Sequence, residues 1–218
     1  MNNTAEKINC SCKRPWPTRE EAVDLWEEGI HDRCLKSYGF PFEDEYRFHT
    51  QGVARAAEAI AAHIPGMNSE KAFVLGLLHD YGKKINERME GRFHGREGYE
   101  KMLELGYPEV AKICLTHTFP KKNFEDGEFS YPEDWQIWCH KTLANIEYDD
   151  YDYLIGLCDK FFEGMSMVSI ENRIKGIVRR YQLSPKQEDI LLKDSLRLKA
   201  YFDKKTGCDI YDILGIKE

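Results

Sequence analysis

Three observations predict an all-α fold. Apolar residues recur at helical spacing through most of the 218 residues, alternation of period two is almost absent, and caps and glycines bracket one helical stretch after another. Thr18 and Glu21 form a capping box that opens a helix over about 18–37, closed near Gly39 and Pro41. From Tyr46 to about Ile64, the residues His49, Val53, Ala57, Ile60 and Ile64 share one face, which puts an imidazole on an apolar stripe. Asn68 or Ser69 caps the next helix, which is apolar nearly all round from Ala72 to Leu78 and therefore expected to be buried. It ends on the pair His79-Asp80, beyond which Gly82 permits a turn.

Further helices are expected over about 95–105, ended by Gly106, and over 108–117, where Pro108 occupies the first turn and Val110, Ile113, Cys114 and His117 share a face. Between Thr118 and Asp149 the prolines, lysines and aromatics read as a long connection with one helix around Trp135 to Ala144. Asp149 or Asp150 caps an apolar helix that runs into Asp159. Ser184, Pro185 and Gln187 open a last long, charged helix to about Lys205, stopped by Gly207.

The length and 42% hydrophobic content suffice for one domain over 1–218 without disulfides. A net charge of -7 argues against nucleic acid or an anionic membrane as partner, since both select for basic patches, while a small anionic substrate stays possible. Seven cysteines are an odd set, several inside apolar runs, and read as reduced core thiols. The N-terminal residues lack a basic-then-apolar leader and no run is long enough to span a bilayer, so a cytoplasmic location is expected.

The pair His79-Asp80 is the most informative feature, because a buried imidazole and carboxylate each need partners away from water and a metal ion satisfies both. His49, His94, His117 and Asp159 likewise lie on or beside apolar helical faces or next to glycine. Four imidazoles and two carboxylates without thiolates suit borderline divalent metals and not a structural zinc knot. Two ions about 3.5 to 4 Å apart would use all six and leave positions open. Other residues have ordinary readings. Cys10 and Cys12 lack further ligands, His31, His63 and His140 are not read as ligands, and Glu147, Asp149, Asp150 and Asp152 are explained by capping. The aromatics Phe119, Phe124, Phe129, Tyr131, Trp135 and Trp138 could wall a nucleobase pocket, though core packing explains most of them.

The order His, His-Asp, His, His, Asp, with the phrase His79-Asp80-Tyr81-Gly82-Lys83, resembles the HD-domain superfamily of metal-dependent phosphohydrolases, over about Tyr46 to Phe162. The resemblance implies an HD-domain-like compact helical bundle whose metal-bearing core spans about 46–163, with the N-terminal and long C-terminal helices packed around it. It implies that His49, His79, Asp80 and Asp159 hold a first divalent metal and that Asp80 bridges to a second held by His94 and His117. Iron, manganese, zinc, cobalt and nickel are the candidate ions, iron foremost. The additional histidines are like those of the binuclear branch.

The chemistry expected is hydrolysis of a phosphoester or phosphoanhydride in a small nucleotide-like substrate by a metal-activated water, with Asp80 and Lys83 catalytic and Lys83 and Arg96 contacting phosphate. The competing expectation is a diiron oxygenase acting on a small polar or phosphonate substrate. A regulatory metal-binding module without turnover is a third. Substrate identity and oligomeric state are left open by the sequence.

Overall fold

A computed structural model describes residues 14–28, 43–85, 94–119 and 133–217. In order these form α1 (Arg19–Glu27), α2 (Glu43–Ala61), α3 (Ser69–Leu78), α4 (Tyr81–Ile85), α5 (His94–Leu105), α6 (Pro108–Thr116), α7 (Glu133–Ala144) and α8 (Asp150–Cys158). A 3-10 turn at Asp159–Phe161 leads to a two-stranded antiparallel hairpin, β1 (Phe162–Glu163) and β2 (Ser166–Met167). It is followed by α9 (Ile170–Tyr181), α10 (Pro185–Thr206) and α11 (Ile210–Leu214). Among the described residues the fold is all-α apart from that hairpin.

The capping residues act as the sequence indicates. Thr18 and Glu21 close a reciprocal box on α1, Asn68 accepts from Lys71 N, Asp149 and Asp152 form a box on α8, and Ser184 with Gln187 does so on α10. Asp149 and Asp152 are further neutralised by Lys112, whose Nζ lies 2.8 and 2.9 Å from their carboxylates.

Three boundaries differ from expectation. Helix α1 stops at Glu27, because Glu28 turns extended, and the rest of the expected span, 29–37, lies outside the described residues. Helix α2 begins at Glu43 and ends at Ala61, so Ile64 packs from the following turn. Gly82 does not make the turn after His79-Asp80; it lies inside the short helix α4. The hairpin, α9 and α11 carried no signal recognised in the sequence.

One apolar cluster, from Ala22 and Trp26 through Val53, Ile60, Leu75, Leu78 and Ile113 to Leu157, Ile170 and Tyr211, draws on helices from α1 to α11. Its centre is the crossing of α2 with α3. A Cβ on Gly76 would sit 2.8 Å from Ala54 Cα, so the absence of a side chain there lets the two backbones touch. Helix α3 is buried from Ala72 to Leu78, as a helix apolar on every face must be. A smaller cluster joins Leu115, Phe119, Trp135, Cys139 and Leu143. Phe119 and Trp135 are thus core residues, whereas Phe124, Phe129 and Tyr131 lie outside the described residues. Cys114, Cys139 and Cys158 are free, buried thiols, and Cys208 is free and exposed. Among the described residues no helix is long and apolar enough to cross a membrane.

Candidate metal centre

Three helices end on a candidate ligand. His79 is the C-cap of α3, His117 the C-cap of α6 and Asp159 the C-cap of α8. His49 comes from the middle of α2, and His94 is the first residue of α5. Rigid apolar helices thus aim their last side chains at one point, where Asp80 stands fully buried.

Each Asp80 oxygen faces a different set of ligands. Oδ2 lies 3.5 Å from His49 Nε2 and 3.4 Å from His79 Nε2. Oδ1 lies 3.4 Å from both His94 Nε2 and His117 Nε2, which are 3.3 Å from each other. Asp159 Oδ1 completes the first set, 3.1 Å from His49 Nε2 and 3.8 Å from His79 Nε2. All six predicted ligand side chains are therefore brought together.

These residues fit divalent cations. His79 Nδ1 bonds to Gly76 O at 2.7 Å and His117 Nδ1 to Ile113 O at 2.9 Å, which fixes the tautomer and turns each Nε2 lone pair inward. His79 Nε2 and Asp80 Oδ1 are buried, yet among the described residues neither makes a well-directed hydrogen bond. Orphaned polar atoms in a core are costly, and here a cation would satisfy them.

The electrostatics divide the same way. Burial alone would raise Asp80, but Lys83 and His79 reverse this and hold the carboxyl well below the usual range. Asp159 is held down against burial by Lys160 and His49. Burial disfavours a charged His79, yet the Asp80 and Asp159 carboxylates raise it to about 9. Burial lowers His94 and His117, with Lys83 adding to the effect at His94. Both imidazoles of that set are consequently neutral, as ligands must be.

The predicted substrate residues separate. Lys83 Nζ is 2.5 Å from Asp80 Oδ2, inside the cluster. Arg96 points elsewhere, with Nε 2.9 Å from Glu100 Oε1 and its guanidinium over the Trp138 ring. Sequence reasoning missed Lys160, whose Nζ lies 2.5 Å from Asp159 Oδ2; its position directly after a candidate ligand was the available signal. It also missed how α5 is placed. A Cβ on Gly82 would fall 1.8 Å from His94 O, and one on Gly98 would fall 2.9 Å from Cys114 Cβ, so two bare glycines let α4, α5 and α6 close on the site.

The sequence model of the HD domain matches residues 46–163, more than half of the chain, which includes every one of the six candidate ligands. The chain belongs to the HD-domain family. This HD protein is also similar to proteins named Ribonuclease Y. The match with that of Geotalea uraniireducens is 31% identical over 104 residues, covering 45% of this chain and 20% of the relative. Those of Fervidobacterium nodosum (30% over 105 residues, 45% and 20%) and Syntrophobacter fumaroxidans (31% over 98 residues, 42% and 19%) are alike. The chain spans about a fifth of the length of these relatives. No solved structure is a significant match.

Proposed function

We propose that this HD protein hydrolyses a phosphoester or phosphoanhydride bond in a small nucleotide-like substrate, at a centre of two divalent transition metals. The observation that carries the reading is the carboxylate of Asp80, with one oxygen facing His49 and His79 and the other facing His94 and His117. His49, His79, Asp80 and Asp159 would hold one ion and Asp80, His94 and His117 the other. Bound there, the ions supply Lewis-acid charge against the phosphoryl oxygens and lower the pKa of a water towards neutrality.

The chain's own residues then have defined tasks. Asp80 keeps the two ligand sets in register, and Lys83 offers a cation to the substrate phosphate from the same side. Arg96, engaged by Glu100 and Trp138, is left out of this role. Burial pushes the thiols of Cys114 and Cys158 up, which unsuits both as nucleophiles. Water is the attacking group in this reading.

The Ribonuclease Y relatives favour a second reading, in which the phosphoester belongs to RNA. A net charge of -7 provides little of the long-range attraction that a nucleic-acid backbone requires, so the small substrate is preferred. The test strips the protein with a chelator, reloads it separately with iron, manganese, zinc, cobalt and nickel, and screens nucleotides, dinucleoside polyphosphates and short RNA. Metal-dependent hydrolysis of the small compounds is expected. Faster cleavage of RNA would transfer the assignment to the second reading, and substrate-dependent oxygen uptake by the iron form would mark an oxygenase. Hydrolysis of nothing with any ion would end the proposal.

A further inference from the structure

We propose that Lys160 is a second substrate-anion ligand, paired with Lys83 across the carboxylate cluster, and that the pair selects phosphomonoesters and terminal phosphoanhydrides over phosphodiesters; this rests on the phosphohydrolase reading above. The two lysines stand in matching positions. Lys83 Nζ lies 2.5 Å from Asp80 Oδ2 and Lys160 Nζ lies 2.5 Å from Asp159 Oδ2, and both carboxylates converge on His49 Nε2. Both side chains are largely but not wholly covered, at 15% and 19% exposure, so each ammonium stays within reach of a solute entering the site.

Two covered lysines outside the cluster are held differently. Lys84 is fully buried on three backbone carbonyls, and Lys112 is gripped by two carboxylates. Among the described residues, Asp159 is the one hydrogen-bonding partner of the Lys160 ammonium. If Asp159 turns to a cation, Lys160 is left with hydrogen-bonding capacity that nothing else among the described residues takes up. The neighbouring Glu163 does not compete, because Arg173 and Arg180 bind it from α9.

Charge counting sets the substrate class. With the imidazoles neutral, as ligation requires, Lys83 and Lys160 cancel Asp80 and Asp159. The charge of any divalent ions is then left for the attacking hydroxide and the substrate to meet. A phosphodiester brings one negative charge, whereas a monoester or terminal phosphate brings nearly two at neutral pH.

The experiment compares wild type, Lys160→Met and Lys160→Arg, each loaded with manganese, by calorimetric titration with inorganic phosphate, metal counting and circular dichroism. Loss of a charge-assisted hydrogen bond predicts phosphate binding about ten- to hundredfold weaker in Lys160→Met. Metal content should be unchanged or higher, because Asp159 loses a competitor, and Lys160→Arg should recover most of the affinity. Wild type should hydrolyse p-nitrophenyl phosphate faster than bis-p-nitrophenyl phosphate, with a preference that shrinks in Lys160→Met through KM. Phosphate affinity within twofold of wild type, or affinity and metal lost in step, would overturn the assignment while leaving the phosphohydrolase reading intact. A wild type that holds metal but binds no phosphate and cleaves neither ester would overturn both.

Discussion

Lys83 and Lys84 are consecutive on α4, yet they serve opposite faces of it. Lys83 reaches Asp80 at the centre of the ligand cluster. Lys84 reaches back to α1, where its ammonium donates to the carbonyls of Leu25, Trp26 and Glu28. These carbonyls belong to the C-terminal end of α1, where backbone acceptors lack intrahelical donors and a cation also meets the negative end of the helix dipole. One lysine therefore balances a charge that, under the proposed function, a metal or substrate would claim, and the other completes a helix. The difference comes from the partners: a carboxylate surrounded by imidazoles on one side, leftover peptide oxygens on the other.

The largest effect tests whether the Asp80 face is chemical at all. Asp80→Ala removes the group that faces both ligand sets, so metal content should fall for both and hydrolysis should drop by more than the about ten- to hundredfold that loss of an outer-shell partner costs. Circular dichroism should report a helical fold, since Asp80 lies between α3 and α4 and not inside a helix. An Asp80→Ala protein with two tightly held ions and full activity would erase the distinction between the two faces.

Lys83→Met should act next, through substrate binding. Its KM for a phosphomonoester is expected to rise about tenfold or more, with metal affinity equal or tighter because the competing ammonium is gone. In the metal-free state the same variant should melt at a lower temperature, because a buried Asp80 carboxylate loses its counter-ion, and metal should restore the difference. Unchanged KM and unchanged metal-free melting together would make Lys83 a bystander.

Such assignments were only half legible in the sequence. His49 was recognisable because helical spacing placed it with Val53, Ala57 and Ile60, and His79-Asp80 because an apolar run ended on them. Periodicity reports which side of a helix is covered, and the six candidate ligands were legible to that extent. It is silent about what a long, flexible side chain reaches. Lys83 and Arg96 were read alike as phosphate contacts while Lys84 and Lys160 were given no role, and what each cation reaches was decided by the folded arrangement, as in Lys84 with Leu25. Gly82 was misread for a related reason. Its value lies in a close approach to His94 O across the fold, which no local turn rule encodes. Helix α9 went unread although Ser169 caps it and Ile170, Ile174, Ile177 and Val178 recur at helical spacing, so its signal was present and was passed over.

Lys84→Met sharpens the comparison from the structural side. Three carbonyls lose their donor, so stability should fall by about 1–3 kcal/mol in urea, while metal content and hydrolysis per folded molecule stay at wild-type values. The effect should also depend on pH in a defined direction. Burial lowers Lys84 to about 8, against 10.5 for an ordinary lysine. Between those values the unfolded chain binds the proton more than the folded one does, so this residue's contribution to stability rises as pH rises through the interval. Buried groups such as the Cys114 and Cys158 thiols, raised by burial, pull the other way above about pH 9 but are shared by both proteins and cancel in the difference. The advantage of wild type over Lys84→Met should therefore be larger at pH 10 than at pH 7.5. An advantage that shrinks over this range would mean that the carbonyls of α1 hold Lys84 as a strongly favoured cation, and that burial is the weaker influence on it.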